Sequence, residues 1–311
     1  MYCTVQLCHT AVAKTGGVLH VHVAPPPVFT TANHNQEWPK LVHFGVQADL
    51  RPGTAAIYVV LLLPTNATMP GGTRVAVDTS YPFGDVVTVR VAAKEAVRLF
   101  VRVPEWATAA TVELDGAAPA PATSNAYHEV QCAGSATTVL TLDLNPKIVV
   151  ECHWGDDGIN GVAVTRGPLL FALPLDEITT KLGSAYDKCF ESGCSQDVQI
   201  RSTEHWSYAL VLPKGLSANG TVVDPPGWTF AKLGAPGRHP FAGRRSPTVA
   251  ISVEARELPS WTMDAVYKHS PQPVPPSPVD CGACGPVKTV QLVPFGSTRL
   301  RVGVMPYTTP P

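Results

Sequence analysis

Tyr81 to Val103, YPFGDVVTVRVAAKEAVRLFVRV, alternates with the period of a half-buried strand. Val87, Val89 and Val91 fall on one face, Thr88 and Arg90 on the other. After the polar turn Ala93-Lys94-Glu95, Val97, Leu99, Val101 and Val103 point one way, Arg98 and Arg102 the other. Two β-branched runs joined by a short turn predict an antiparallel hairpin with one wet face. Pro82 and Gly84 punctuate its start, and Pro104 stops the second strand because proline cannot donate to a ladder. This is the signature of a sheet protein and by itself carries no chemistry.

The rest of the chain repeats the theme. Strands are expected at Val18–Val23, Ala55–Leu63, Thr111–Leu114, Tyr127–Cys132, Thr137–Leu144 and Ile148–His153, with a tight turn at Asp115-Gly116. Tyr127–Cys132 and Thr137–Leu144 read as a pair, and Ile148–His153 as the close of this first group. Gly161–Leu175 reads as two apolar strands around Gly167-Pro168. Trp206–Leu212 and Thr248–Arg256 follow, and Val287–Val293 with Thr298–Val304 reads as a final pair turning at Pro294-Phe295-Gly296. Gln272–Pro278 is a proline-rich extended loop. Phe29–Lys40 is polar and unperiodic, open to a helix or a loop. Among 311 residues, 31 prolines, 25 glycines and only 15% charged side chains describe short strands and many turns, and exclude a helical bundle. Strands every ten residues or so, with no helical periodicity between them, argue sandwiches and not an α/β fold.

Composition also excludes partners. The net charge is −1 and no basic face stands out, so nucleic acid is not expected. The longest apolar run, Ala55–Leu63, suits a buried strand and falls short of a membrane helix, so no membrane is expected. Met1–Ala13 lacks the basic and apolar regions of a signal peptide, which leaves the compartment open. Asn66-Ala-Thr and Asn219-Gly-Thr are glycosylation acceptors by pattern.

No GxSxG elbow, GxGxxG fingerprint, P-loop or HExxH is present. Cys281-Gly-Ala-Cys284 has the spacing of half a zinc site, with Cys189 and Cys194 as a distant second half. A local disulfide or free thiols suit its loop context better. Cys3, Cys8, Cys132 and Cys152 complete a set too sparse for a disulfide scaffold. Asp156 and Asp157 beside His153 read as a solvated turn, because adjacent carboxylates on an extended chain point apart. Trp38, Trp106, Trp154, Trp206, Trp228 and Trp261 could stack on sugars, but core packing is the commoner role for each.

Several segments together resemble glycoside hydrolase family 127, the β-L-arabinofuranosidase-like proteins. They are Ala56-Ile-Tyr-Val-Val-Leu-Leu-Leu-Pro-Thr65, Tyr81-Pro-Phe-Gly-Asp85, Leu99-Phe-Val-Arg-Val-Pro-Glu-Trp-Ala107, Arg166-Gly-Pro-Leu-Leu-Phe-Ala172, Pro273–Val279 and Leu292-Val-Pro-Phe-Gly-Ser-Thr-Arg-Leu-Arg301. The resemblance implies an all-β chain: a remnant of an (α/α)6 barrel over 1–45, a first antiparallel β-sandwich over 46–157 and a second over 158–311. In the family the barrel does the chemistry, with a glutamate and cysteines on zinc and one cysteine as nucleophile; a zinc-bound thiolate stays deprotonated near neutral pH. The carboxylate and upstream cysteine would precede Met1. Ala32-Asn33 and Gln36-Glu-Trp-Pro-Lys40 match the last piece of that site, so Asn33, Gln36 and Trp38 are the expected substrate-binding residues. Phe29 and Thr30 stand where the family's cysteine pair belongs, and Glu37 replaces a glycine. Phe cannot ligate zinc, and neither Phe nor an unactivated Thr replaces a thiolate. No catalytic residue and no zinc are therefore expected. The implied role is the non-catalytic part of such a glycosidase, as a fragment, a truncated product or a degenerate paralogue. The alternatives are a carbohydrate-binding module, marked by a line of solvent-exposed Trp or Tyr on one sheet face, and a scaffold for a separate barrel, marked by a large apolar patch from Leu41 to Leu63. Implied partners are arabinose-containing glycans and a separate catalytic barrel, with secretion favoured for the parent family.

Overall fold

The computed structural model describes residues 18–21, 41–49, 51, 55–155, 158–181, 198–213, 220–234, 247–263 and 272–310. The chain is all-β and divides into two compact units, Phe29–Pro146 and Met1–Val28 with Lys147–Pro311. No helix of the described residues is long and apolar enough to cross a membrane.

Strand β1 (Val18–Val21) belongs to the larger unit. The Phe29–Pro146 unit is built from β2 (Val46–Asp49), β3 (Ala56–Val59), β4 (Thr65–Thr68), β5 (Arg74–Thr79), β6 (Val86–Ala92), β7 (Val97–Val103), β8 (Thr111–Leu114), β9 (Ala120–Pro121), β10 (Ala126–Cys132) and β11 (Thr137–Asp143). They form a four-stranded sheet, β10-β7-β3-β2, and a six-stranded sheet, β4-β5-β6-β11-β8-β9. Pairing is antiparallel except for β3 with β7.

The alternation in β6 and β7 buries the expected residues. Val87, Val89, Val91, Leu99, Val101 and Val103 are all fully buried in one core with Leu140 and Leu142. The two strands do not form the expected hairpin. β6 pairs with β5 and β11, whereas β7 pairs with β3 and β10 in the other sheet. The linker explains the difference. A two-residue hairpin turn needs positive φ, and residues 93–96 contain no glycine or asparagine and no positive φ. The chain therefore arches from one sheet to the other, and the two buried faces look at each other across the core. β10 and β11 behave the same way and do not pair. The Asp115-Gly116 turn is as expected: both residues have positive φ, and the Ala117 N–H donates to the Leu114 carbonyl at 2.9 Å.

The larger unit continues with β12 (Ile148–Gly155), β13 (Gly158–Arg166), β14 (Leu169–Pro174), β15 (Ile178–Lys181), β16 (Val198–Arg201), β17 (Tyr208–Val211), β18 (Thr221–Val223), β19 (Thr229–Lys232), β20 (Val249–Glu257), β21 (Val287–Pro294), β22 (Arg301–Val302), β23 (Val304–Met305) and β24 (Tyr307–Thr308). One branched sheet runs β18-β12-β13-β14-β21-β20-β17-β24, and a separate three-stranded sheet runs β1-β16-β15. Three expectations change here. β12 pairs with β13 and β18, so the division falls after Pro146 and not after Asp157. β1 pairs with β16, so this part of the expected barrel remnant joins the larger unit. The last segments do not pair with β21; β22 pairs with β14 and β23 with β13. The strands around Gly167 do pair as a hairpin, with Gly167 at φ 56°.

Glu177 explains part of the Gly-Ser-Thr-Arg-Leu-Arg ending. Its carboxylate accepts from the Thr298 hydroxyl (3.2 Å), the Arg299 backbone N–H (2.7 Å) and guanidinium Nε (2.7 Å), and the Leu300 N–H (3.3 Å). Burial pushes this carboxyl up, but the hydrogen bonds and charge of Arg299 and the Leu300 N–H outweigh it, and its pKa falls below the ordinary value.

Candidate functional site

The expected substrate-binding residues Asn33, Gln36 and Trp38, with Phe29 and Thr30, lie outside the described residues. So do Asn219, Asp156, Asp157, Cys3, Cys8, Cys189 and Cys194. Asn66 is exposed on the edge strand β4. Cys281 and Cys284 form a disulfide, the local pairing that their loop context favoured. Cys132 is buried, and the half-buried Cys152 lies 3.2 Å from the Gly220 carbonyl. Among the described residues no three His, Cys, Asp or Glu side chains gather into a metal-binding group.

Trp38 and the Trp154 side chain lie outside the described residues, and the other four tryptophans are core residues. Trp206, Trp228 and Trp261 are buried, and Trp206 meets Trp261 edge to face at 4.8 Å between ring centroids. Trp106 is half-buried, packs on the core and stacks on Tyr81.

Three further rings lie on the outer face of the four-stranded sheet, Tyr127 exposed and Tyr58 and Phe100 half-buried. The register places Gln47, Tyr58, Phe100 and Glu129 in one row across β2, β3, β7 and β10. Tyr127 and Arg102 form the next row on one side, with Arg98 and Gln131 on the other. The rings of Tyr58 and Phe100 stack at 4.8 Å with 9° between their planes. The Tyr127 ring reaches across β7 to stand perpendicular to Tyr58 at 5.8 Å, and Tyr127 is 43% exposed. The Arg98 guanidinium lies 5.4 Å from the Phe100 centroid and 3.7 Å from the Glu129 carboxylate. Tyr58 and Phe100 thus cover each other's ring faces, with polar and charged side chains around them.

Sequence reasoning passed over these three rings. The signal was present: Phe100 occupies the wet phase of β7 between Arg98 and Arg102, and Tyr127 precedes Glu129 and Gln131 on the wet phase of β10. Attention to tryptophan obscured it. In the same unit Leu41, Val42 and Phe44 are also exposed, ahead of β2.

In the larger unit, Glu204, His205, Tyr208, Pro247 and Gln291 help line an open cavity of about 640 Å³. His205 and Glu204 there are already engaged. His205 Nε2 lies 2.8 Å from the Ser207 carbonyl, and Glu204 accepts the Asp176 N–H at 2.9 Å. Beside them Glu257 pairs with Lys288, whose hydrogen bond lowers the Glu257 pKa and raises that of Lys288 itself. Burial raises the Tyr208 pKa. Among the described residues, these acids and bases are held in hydrogen bonds and ion pairs with their neighbours.

By fold, the Phe29–Pro146 unit is a two-sheet sandwich with an aromatic outer face. Residues 56–145 match the family described as "Beta-L-arabinofuranosidase, GH127 middle domain". No curated protein matches the chain. Solved structures similar to it include three glycoside hydrolases. One is a glycoside hydrolase, 18% identical, TM-score 0.49, covering 81% of this chain and 36% of its own. A second is a GH127 beta-L-arabinofuranosidase from Geobacillus Stearothermophilus T6, 14% identical, TM-score 0.49, covering 84% and 34%. A third is a GH127 beta-arabinofuranosidase, 12% identical, TM-score 0.48, covering 82% and 36%. The chain thus spans about a third of the length of the structures it matches.

Proposed function

We propose that these residues form the non-catalytic β-sandwich portion of a family 127-like glycoside hydrolase of the β-L-arabinofuranosidase type. The observation that carries this reading is the middle-domain match over 56–145. Phe29 and Thr30, in the place of the family's cysteine pair, support the lack of chemistry in this chain. Their side chains do not fit zinc: one has no donor atom and the other offers a neutral hydroxyl. No step through a metal is therefore assigned to this chain.

The test is an assay of the 311-residue chain on an aryl β-L-arabinofuranoside, with zinc and reductant added. No release of the aryl group is expected, and placing cysteines at positions 29 and 30 should not create it. Turnover that a point mutation within the chain abolishes would contradict the proposal.

A further inference from the structure

We infer that Asn66 is the acceptor of an N-linked glycan, carried on the edge strand of the six-stranded sheet. The inference stands apart from the glycosidase reading and uses no part of it.

The first argument is placement. Of the asparagines in the described residues, only Asn66 is followed two positions on by serine or threonine. The Asn66-Ala-Thr68 triplet lies in β4, which ends the sheet and among the described strands pairs with β5. Successive side chains of a strand point to opposite faces, so the Asn66 amide and the Thr68 hydroxyl leave from the same side. Burial follows that phase. Asn66 and Thr68 are exposed, while Ala67 is half-buried and packs on the core. The two groups that a glycan-transferring enzyme reads together are thus both on the wet side, and neither is needed to close the core.

The second argument is room. An attached sugar is bulky, and a folded chain keeps it only where the neighbouring side chains leave space. The register sets Ala76 of β5 opposite Asn66, and Ala92 of β6 in the row of Thr68 and Arg74. Around these small side chains lies an open depression of about 310 Å³, with Asn66, Thr68 and Thr137 in its lining. A glycan on Asn66 therefore meets methyl groups and water, and displaces nothing from the core.

The third argument is compartment. N-linked glycans are added as chains enter an oxidising compartment, and the Cys281–Cys284 disulfide is a bond that forms and persists in one. An exposed acceptor triplet and a formed disulfide in one chain point the same way.

The donor is an oligosaccharide carried on a lipid pyrophosphate. Asn66 Nδ2 attacks the anomeric carbon of its first sugar. An N–C bond forms as the C–O bond to the pyrophosphate breaks. The lipid pyrophosphate leaves with that electron pair, and Nδ2 gives up one proton to a base of the transferring enzyme.

The test is cell-free translation of the full 311-residue chain behind a cleavable secretory leader, with microsomes present. Asn219→Gln is the background, so that one acceptor pattern remains. The protease-protected chain should gain one mass step, removed by an amidase that cuts the glycan–asparagine bond. Asn66→Gln and Thr68→Ala should each abolish the step, and Thr68→Ser should keep it. This readout needs translocation only, so it stands even if a variant folds poorly. The fold is read separately, on chain purified from a eukaryotic secretory host. Its thermal midpoint before and after the amidase should agree within about 4 °C, the scale of a small stability change. A protected chain without the step would overturn the inference. So would a step that Asn66→Gln leaves intact, or a glycosylated chain that melts further below the trimmed one than that.

Discussion

The two outer faces of the Phe29–Pro146 sandwich are made by the same alternation and carry different side chains. On the six-stranded sheet the register sets Asp78, Thr88, Thr141 and Glu113 in one row and Asn66, Ala76, Arg90 and Val139 in the next. These are small or charged residues, with Arg90 paired to Asp78, and they form an ordinary wet sheet surface. On the four-stranded sheet the corresponding rows hold Tyr58, Phe100 and Tyr127. β-Propensity does not explain the contrast, since threonine and aromatic residues both suit a strand. Packing does not explain it either, because both sheets close the same core from the inside. Tyr58 and Phe100 instead pack on each other and leave Tyr127 as the exposed ring of that face.

The inner faces should behave alike, and there the largest effects are expected. Leu99→Ala in the four-stranded sheet and Leu140→Ala in the six-stranded sheet each empty a fully buried site. Each should cost about 2–5 kcal/mol in chemical denaturation. A large difference between the two would mean that the sheets do not share one core.

The larger unit offers a polar counterpart. Glu177→Ala removes the acceptor of several hydrogen bonds from residues 298–300, and a loss of roughly 1–3 kcal/mol is expected. Because the folded-state pKa of Glu177 is lowered, its contribution is present above the unfolded-state value, about 4.3, and is lost as pH falls through the folded value. Thermal melts of wild type and Glu177→Ala should therefore converge on acidification and stay apart near neutrality. A constant gap across that range would contradict the role given to the carboxylate.

Outward-facing substitutions should cost little on either face. Tyr127→Ala should change stability by less than about 1 kcal/mol, as expected for a surface ring. Asp78→Asn, which breaks the exposed pair with Arg90, should change it by about 0–1 kcal/mol. A loss from either as large as that from Leu99→Ala would contradict the placement of these side chains on the outer faces.

Strand positions and buried faces were legible in the sequence because alternation reports which side of a strand is dry. Strand partners were not. A period of two is the same for a hairpin and for an arch, so β6 with β7, and β10 with β11, read as pairs although each joins opposite sheets. The linker at 93–96, without glycine or asparagine, held the missing information. The end of the first unit was misplaced for a similar reason: the apolar run Ile148–His153 looks the same whichever sheet receives it. Glu177 could not have been matched to Arg299 at a separation of 122 residues, since no local pattern links them. The aromatic face was half legible. Phe100 between two arginines is an apolar residue in a polar phase, and reading that phase as carefully as the buried one would have found it. Tryptophan, the obvious residue for sugar stacking, led to the core.

Incubation of the 311-residue chain with an aryl β-L-arabinofuranoside, with zinc and reductant added, tests the account most directly. No release of the aryl group is predicted, and turnover that a point mutation within the chain abolishes would contradict it.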